Sequence, residues 1–193
     1  MAIDHDQRRA TIAQLTIDLV AREGIEAATI RRIAASAGFS TTAVTHYFAD
    51  KQDLLAWAYQ VLASEGEWRF EAARRDNPDD PVAALMTMVP WCPVNVRRWK
   101  AYLAFWDQAA RDAELAGLLT HSTQAGLALM RGLLCAQAPG SDPARIDRAV
   151  EMLNAVIQGM ALQMLVDPAA WSPERVRVML GDALAMVSPG AAA

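Results

Sequence analysis

Apolar residues recur along this chain every three or four positions and do not alternate residue by residue, a spacing that predicts helices throughout and no strand. The first helix is expected from about Asp6 to Arg22, with Ile12, Leu15, Leu19 and Val20 turned inward and Gly24 ending it. A short second helix follows. Ile30, Ile33, Ala34 and Ala37 make its apolar stripe, Thr29 supplies the N-cap oxygen, and Gly38 stops it by taking the left-handed conformation of a C-cap. After a turn of about three or four residues, Ser40 caps a third helix. There Val44, Tyr47 and Phe48 share one face, while Thr41, Thr42, Thr45 and His46 fall largely on the other.

A fourth helix is expected from about Lys51 to Arg74, carrying Leu54, Leu55, Trp57, Ala58, Val61, Leu62 and Trp68, before the polar, proline-containing segment 76–81. Beyond it the period stays helical near 81–90, 94–111, 113–137, 142–166 and 172–187, with breaks at Pro90, Pro93, 139–143 and Asp167-Pro168. Asp142 and Ser172 each precede a proline at the first helical position, a good N-terminal signal. The expected fold class is therefore all-α with about nine helices. The expected division is an N-terminal domain of three helices with a helix-turn-helix pattern (1–52) and a C-terminal helical domain (53–193).

Composition narrows the function. The 193 residues are 53% hydrophobic, enough for real cores. No apolar run approaches the roughly 18 residues of a membrane span, and MAIDHDQRR lacks a signal-peptide core, so a cytoplasmic protein without a membrane partner is expected. Cys92 and Cys135 lack metal-ligand spacing and read most simply as buried or partly buried thiols. His5, His46 and His121 fall in unrelated contexts, and there is no nucleophile motif or glycine-rich phosphate loop. No catalytic residue, cofactor or metal is therefore expected. The formal charge is −4, yet residues 1–52 balance six bases (Arg8, Arg9, Arg22, Arg31, Arg32, Lys51) against six acids (Asp4, Asp6, Asp18, Glu23, Glu26, Asp50). The acid excess lies in 53–193, and a neutral N-terminal domain predicts only modest nonspecific affinity for a polyanion.

The third helix suits one such polyanion, DNA. The hydroxyl-bearing face of the third helix can approach base edges and phosphates in the major groove, and Lys51, at a helix start, can meet a phosphate. Arg8 and Arg9 either touch phosphate or simply solvate a helix end. The stretch TIRRIAASAGFSTTAVTHYFADK, preceded by Val20-Ala21-Arg22-Glu23-Gly24 and followed by Asp53-Leu54-Leu55, resembles the helix-turn-helix of the TetR family of transcription regulators. The candidate DNA-binding residues are Thr29, Arg31, Arg32, Ser40, Thr41, Thr42, Thr45, His46, Tyr47 and Lys51.

Further along, 96–106 (VRRWKAYLAFW) and 156–160 (VIQGM) resemble the C-terminal domain of the betaine-pathway repressors within that family. Where that group commonly has an acid before the glycine, this chain has Gln158, which removes a countercharge for a cation there. Trp91, Trp99, Tyr102, Trp106 and Met160 offer polarizable surface for a small effector, with Asp107, Gln158 and Gln163 as polar anchors; the competing role for each aromatic is core packing. Trp99, Tyr102 and Trp106 lie at i, i+3 and i+7 and so share a face. Broad apolar stripes on the last two helices suggest a twofold interface through Val150, Leu153 and Ile157 on one and Val176, Met179, Leu180 and Leu184 on the other. The resemblance implies the same, a four-helix interface built from the last two long helices of each protomer. It further implies a homodimeric repressor that binds a palindromic double-stranded operator and is released by a small-molecule effector of unknown identity. An activator or partner-controlled regulator is the alternative within that class, and a small-molecule-binding protein or enzyme the alternative outside it.

Overall fold

A computed structural model describes residues 5–188. It contains nine α-helices and no strand among the described residues: α1 (His5–Glu23), α2 (Ile30–Ala37), α3 (Thr41–Thr45), α4 (Lys51–Asp76), α5 (Pro81–Met86), α6 (Pro93–Ala109), α7 (Ala113–Gln137), α8 (Pro143–Val166) and α9 (Pro173–Val187). The all-α expectation and most helix limits agree with this order. Two 3-10 turns, Ile25–Ala27 and Pro168–Ala170, escape a periodicity argument because three residues are too short to show a period. The helix expected over 81–90 ends at Met86. At and beyond that end the buried Asn95 amide donates to the carbonyls of Met86, Thr87 and Val89 at 3.4, 3.3 and 2.9 Å, which holds the chain out of the helix.

The helix starts follow local chemistry. Asp142 accepts from the Ala144 N–H at 3.2 Å and Ser172 from the Arg175 N–H at 3.2 Å, each followed by proline at the first helical position. Leu15, expected inward, is only half-buried, and Ile17 and Thr16 fill that side of α1. The Thr16 hydroxyl is satisfied by donating to the Ile12 carbonyl at 2.8 Å. Trp68 is exposed on α4. Cys135, expected at least partly buried, is exposed, because Met130, Leu133 and Leu134 take the inward positions of that part of α7; Cys92 is half-buried.

The described chain forms two compact units, neither continuous in sequence. The first comprises residues up to Glu65 together with Arg97–Ser122, and the second comprises Gly66–Val96 together with residues from Thr123 onward. The boundary anticipated at residue 52 therefore falls inside the first unit. Ile12, Ile17, Leu19, Val20, Ile33, Val44, Phe48, Leu54, Leu62, Phe105, Leu115 and Leu119 build the first core. Phe70, Leu85, Val89, Met130, Leu134, Ile146, Leu153, Ile157, Met160, Val176 and Leu180 build the second.

A polar network crosses the first core. Arg98 on α6 is 4% exposed and donates to the Leu62 carbonyl at 2.8 Å, to the Tyr102 hydroxyl at 3.2 Å and to Glu65 at 3.2 Å. Glu65 also accepts from Gln14 of α1, and Arg97 pairs with Asp18 of α1 at 2.7 Å. A guanidinium this deep is tolerated because its donors are met by oxygen acceptors.

Candidate nucleic-acid interface

The interface is built on α2, the turn after it and α3. The Thr29 hydroxyl oxygen accepts from the Arg32 N–H at 3.3 Å, so α2 starts where its N-cap predicts. Gly38 ends it with φ of 67°, a left-handed conformation that costs an L side chain energy. A Cβ there would meet nothing within 4 Å, so the glycine is required for its angle and not for room. Residues 38–40 make the turn, and Ser40 caps α3 by accepting from the Ala43 N–H at 3.1 Å.

The hydrogen-bonded turn continues past α3: the N–H groups of His46 and Phe48 donate to the carbonyls of Thr42 and Val44, both at 3.1 Å. Val44 and Phe48 are buried pins. With those side chains fixed inward, Thr41, Thr42, Thr45 and His46 are exposed, as are Thr29, Arg31, Arg32 and Ser40. Tyr47 is half-buried at the edge. Its ring lies 4.5 Å from that of His5 and 5.6 Å from that of His46, a cluster joining the start of α1 to the reading face. His5 was not among the sequence candidates; lying some 40 residues upstream, it left no spacing to detect.

Charge on this face is partly held in reserve. Arg32 pairs with Glu23 at 2.8 Å and Lys51 with Glu26 at 3.4 Å. Such solvent-exposed pairs are worth only ~0 to 1 kcal/mol, so either cation can exchange its carboxylate for a phosphate at small cost. The first turn of α4 is fixed independently of Lys51: Asp53 accepts from the Ala49 N–H at 3.0 Å and Asp50 from the Asp53 N–H at 2.9 Å. Arg8 and Arg9 do more than solvate a helix end. The Arg9 guanidinium lies 3.8 Å from the centre of the Trp57 ring and 5.4 Å from that of Phe48, and Arg8 lies 5.9 Å from that of Phe39.

The effector candidates divide between the two units. Trp99, Tyr102 and Trp106 do share a face in the first unit: Trp99, only 7% exposed, packs edge to face on Trp106, with centroids 5.7 Å apart at 85°, and on Tyr102, while the Tyr102 and Trp106 rings are tilted by 31°. Tyr102 donates to the Leu62 carbonyl at 3.1 Å. Beside it, burial pushes the Tyr59 hydroxyl up to about 12, with the neighbouring Tyr102 adding to the rise and a hydrogen bond from Trp106 opposing it. Asp107 is exposed, and its hydrogen bond from Arg111 holds its carboxyl below the ordinary value. Trp91, Gln158, Met160 and Gln163 belong to the second unit. Of these Met160 is core, Gln158 donates to Asn154 at 3.3 Å, and Trp91 and Gln163 are exposed.

The last two helices carry apolar residues on more than one side. Val150, Leu153, Ile157, Val176, Leu180 and Leu184 are buried in the protomer's own second core, whereas Met179 is exposed. The outward side of α8 presents Met152 (57% exposed), Val156, Leu162 and Val166 (86% exposed), and that of α9 presents Val178, Met179 and Met186. By length and composition α8 alone among the described helices could match a bilayer's thickness, and its inward side is core.

Known proteins share this organisation. Residues 12–57 match the family described as bacterial regulatory proteins, tetR family, and residues 82–189 match BetI-type transcriptional repressor, C-terminal. The chain is 29% identical to the HTH-type transcriptional regulator PksA of Bacillus subtilis (strain 168), over 91% of this chain and 87% of that protein. It is 31% identical to the HTH-type transcriptional regulator BetI of Burkholderia ambifaria (strain MC40-6), over 81% of each. Among solved structures it is similar to a transcriptional regulator from Rhodococcus sp. Rha1, with a TM-score of 0.78 and 26% identity, covering 93% of this chain and 95% of that one.

Proposed function

The chain belongs to the TetR family of bacterial transcriptional regulators, and from that premise we propose that it acts as a homodimeric repressor that reads a palindromic operator and is released by a small-molecule effector. The observation that carries this reading is the exposed hydroxyl face of α3, held outward by the buried Val44 and Phe48 and started by the Ser40 cap. Short hydroxyl side chains on a rigid helix suit the major groove, where they hydrogen-bond to base edges and phosphates and rest against thymine methyls. Arg31, Arg32 and Lys51 flank that face and supply phosphate contacts that set its register.

A five-residue reading helix in a domain of balanced charge has limited affinity alone. Two copies related by a twofold axis reach half-sites about one helical turn apart, roughly 34 Å, and so gain affinity together. The outward stripes of α8 and α9, with Met152, Val156, Met179 and Met186, supply an apolar surface for that pairing, next to the inward residues first expected there. Release requires the effector to favour the non-binding arrangement by about 1 to 3 kcal/mol.

Fluorescence anisotropy with labelled DNA from immediately upstream of the gene tests the reading. A saturable complex that survives competitor DNA, and is lost when Thr42 and Tyr47 are both replaced by alanine, is the expected result. A complex unaffected by those two changes would overturn it.

A further inference from the structure

We propose that the second unit binds a small carboxylate with an apolar body, its charge held by Arg69 where α4 meets the start of α6. Arg69 donates from Nη2 to the Asn95 side-chain oxygen at 3.1 Å, and among the described residues it forms no other hydrogen bond and no ion pair. Its Nε lies out of solvent with no acceptor. A guanidinium carries five N–H donors, and one partly removed from water without a carboxylate beside it is left uncompensated.

The charges nearest to it along both helices are already matched. Glu65, one turn earlier on α4, accepts from Gln14 and pairs with Arg98 at 3.2 Å; Arg98 itself stands one turn after Asn95 on α6, so these two neighbours cancel. Arg97, one turn after Val94, is engaged by Asp18 at 2.7 Å, and Glu71 by Arg74 at 2.8 Å. Glu67, two residues before Arg69, falls on the opposite side of α4. Arg69 therefore remains the unbalanced charge. It is also held in place, because the buried Asn95 spends its amide on the carbonyls of Met86, Thr87 and Val89, which fixes the oxygen it offers to Arg69.

The surroundings select the occupant. Trp91 is anchored at the same spot: its backbone N–H donates to the Val89 carbonyl at 3.0 Å, the acceptor that Asn95 uses at 2.9 Å. Trp91 and Val94 are both exposed and offer apolar surface that a hydrocarbon body can cover. Val94 and Asn95 stand in the first turn of α6, whose positive dipole end adds to the preference for an anion. One guanidinium balances one negative charge, and its planar donors match two coplanar oxygens. A carboxylate meets both conditions, whereas a phosphate dianion would keep charge unmet. A cation would be repelled by Arg69.

Isothermal titration of the full-length protein with phenylacetate, against the neutral phenylacetamide, the cationic phenylethylamine and inorganic phosphate, tests the proposal without using DNA. A failed operator assay and a failed carboxylate site are thus distinguishable. The expected result is one saturable site per chain for phenylacetate, with each of the other three compounds bound at least about tenfold more weakly. Arg69→Met, which keeps the length of the side chain and removes its charge, should abolish that binding. Val94→Glu, at an exposed position, sets a like charge beside the carboxylate and should weaken binding several-fold while leaving the helical circular dichroism unchanged. The second variant keeps the proposal decidable should Arg69→Met fail to fold. Equal affinity for any of the three controls, absence of a saturable site, or phenylacetate binding unchanged in either folded variant would overturn it.

Discussion

The outward faces of α3 and α8 are each held in place by buried residues about a turn away: Val44 and Phe48 pin the first, Leu153 and Ile157 the second. The support is alike, but the chemistry presented is opposite. Around α3 the exposed side chains are hydroxyls, an imidazole and flanking guanidinium and ammonium groups; along α8 they are Met152, Val156, Leu162 and Val166. A polar face over a packed core can give up water to another polar surface and recover its hydrogen bonds there, which suits DNA. An apolar face recovers free energy only by losing water altogether, which suits another apolar face. One protomer therefore carries two surfaces whose partners cannot be exchanged.

The strongest way to break that contrast is to charge the apolar face. If the proposed dimer pairs through α8, replacing Met152 and Val156 together by glutamate should give a monomer in sedimentation experiments and lower operator affinity by about 100-fold or more, since two linked half-site readers become independent. The contrast between neighbouring positions on α8 is nearly as large. Leu153→Ala removes a fully buried side chain and should cost about 2 to 5 kcal/mol in urea titrations. Met152→Ala, one residue away, should change the stability of the monomeric form by less than about 0.5 kcal/mol.

A smaller effect separates the core of the reading unit from its surface. Tyr59 is buried and its hydroxyl is raised from 10.0 to about 12, so folding favours the protonated form. The stabilisation is fully present below the unfolded value and is lost as pH rises from about 10 towards 12, by roughly 2 kcal/mol. Denaturant titrations at about pH 9 and pH 11.5 should show that loss, and Tyr59→Phe should remove most of it. The smallest expected effect is Lys51→Gln, which removes the phosphate contact proposed for that ammonium. It should weaken binding to all DNA sequences alike and lower the salt slope by about one. A change confined to one sequence would show that Lys51 reads bases.

Most of the reading face was legible in the sequence because its determinants are local. Thr29, Gly38 and Ser40 act within three or four residues of themselves, and the period of Ile30, Ile33 and Val44 fixes which side is buried. The outward face of α8 was not legible in the same way. Apolar residues occupy more than half of that helix's circumference, so periodicity locates a stripe without saying which edge the protomer keeps for itself. The ring contact between His5 and Tyr47 and the hydrogen bond from Arg69 to Asn95 depend on segments far apart in the chain, which no spacing rule connects. The grouping of Trp99, Tyr102 and Trp106 was readable from the helical repeat, but their unit was not.

The discontinuity of the first unit has a consequence for how the protein is made. When a ribosome has released residues up to Glu65, the reading helices exist, but Phe105, Leu115 and Leu119 of their core, and the guanidinium that neutralises Glu65, have yet to be synthesised. The helix-turn-helix is thus completed by sequence translated well after it. A gene fragment truncated at residue 65 should yield a loose, protease-sensitive polypeptide rather than a transplantable DNA-binding module, and a nascent chain should acquire operator affinity only after Ser122 has left the exit tunnel.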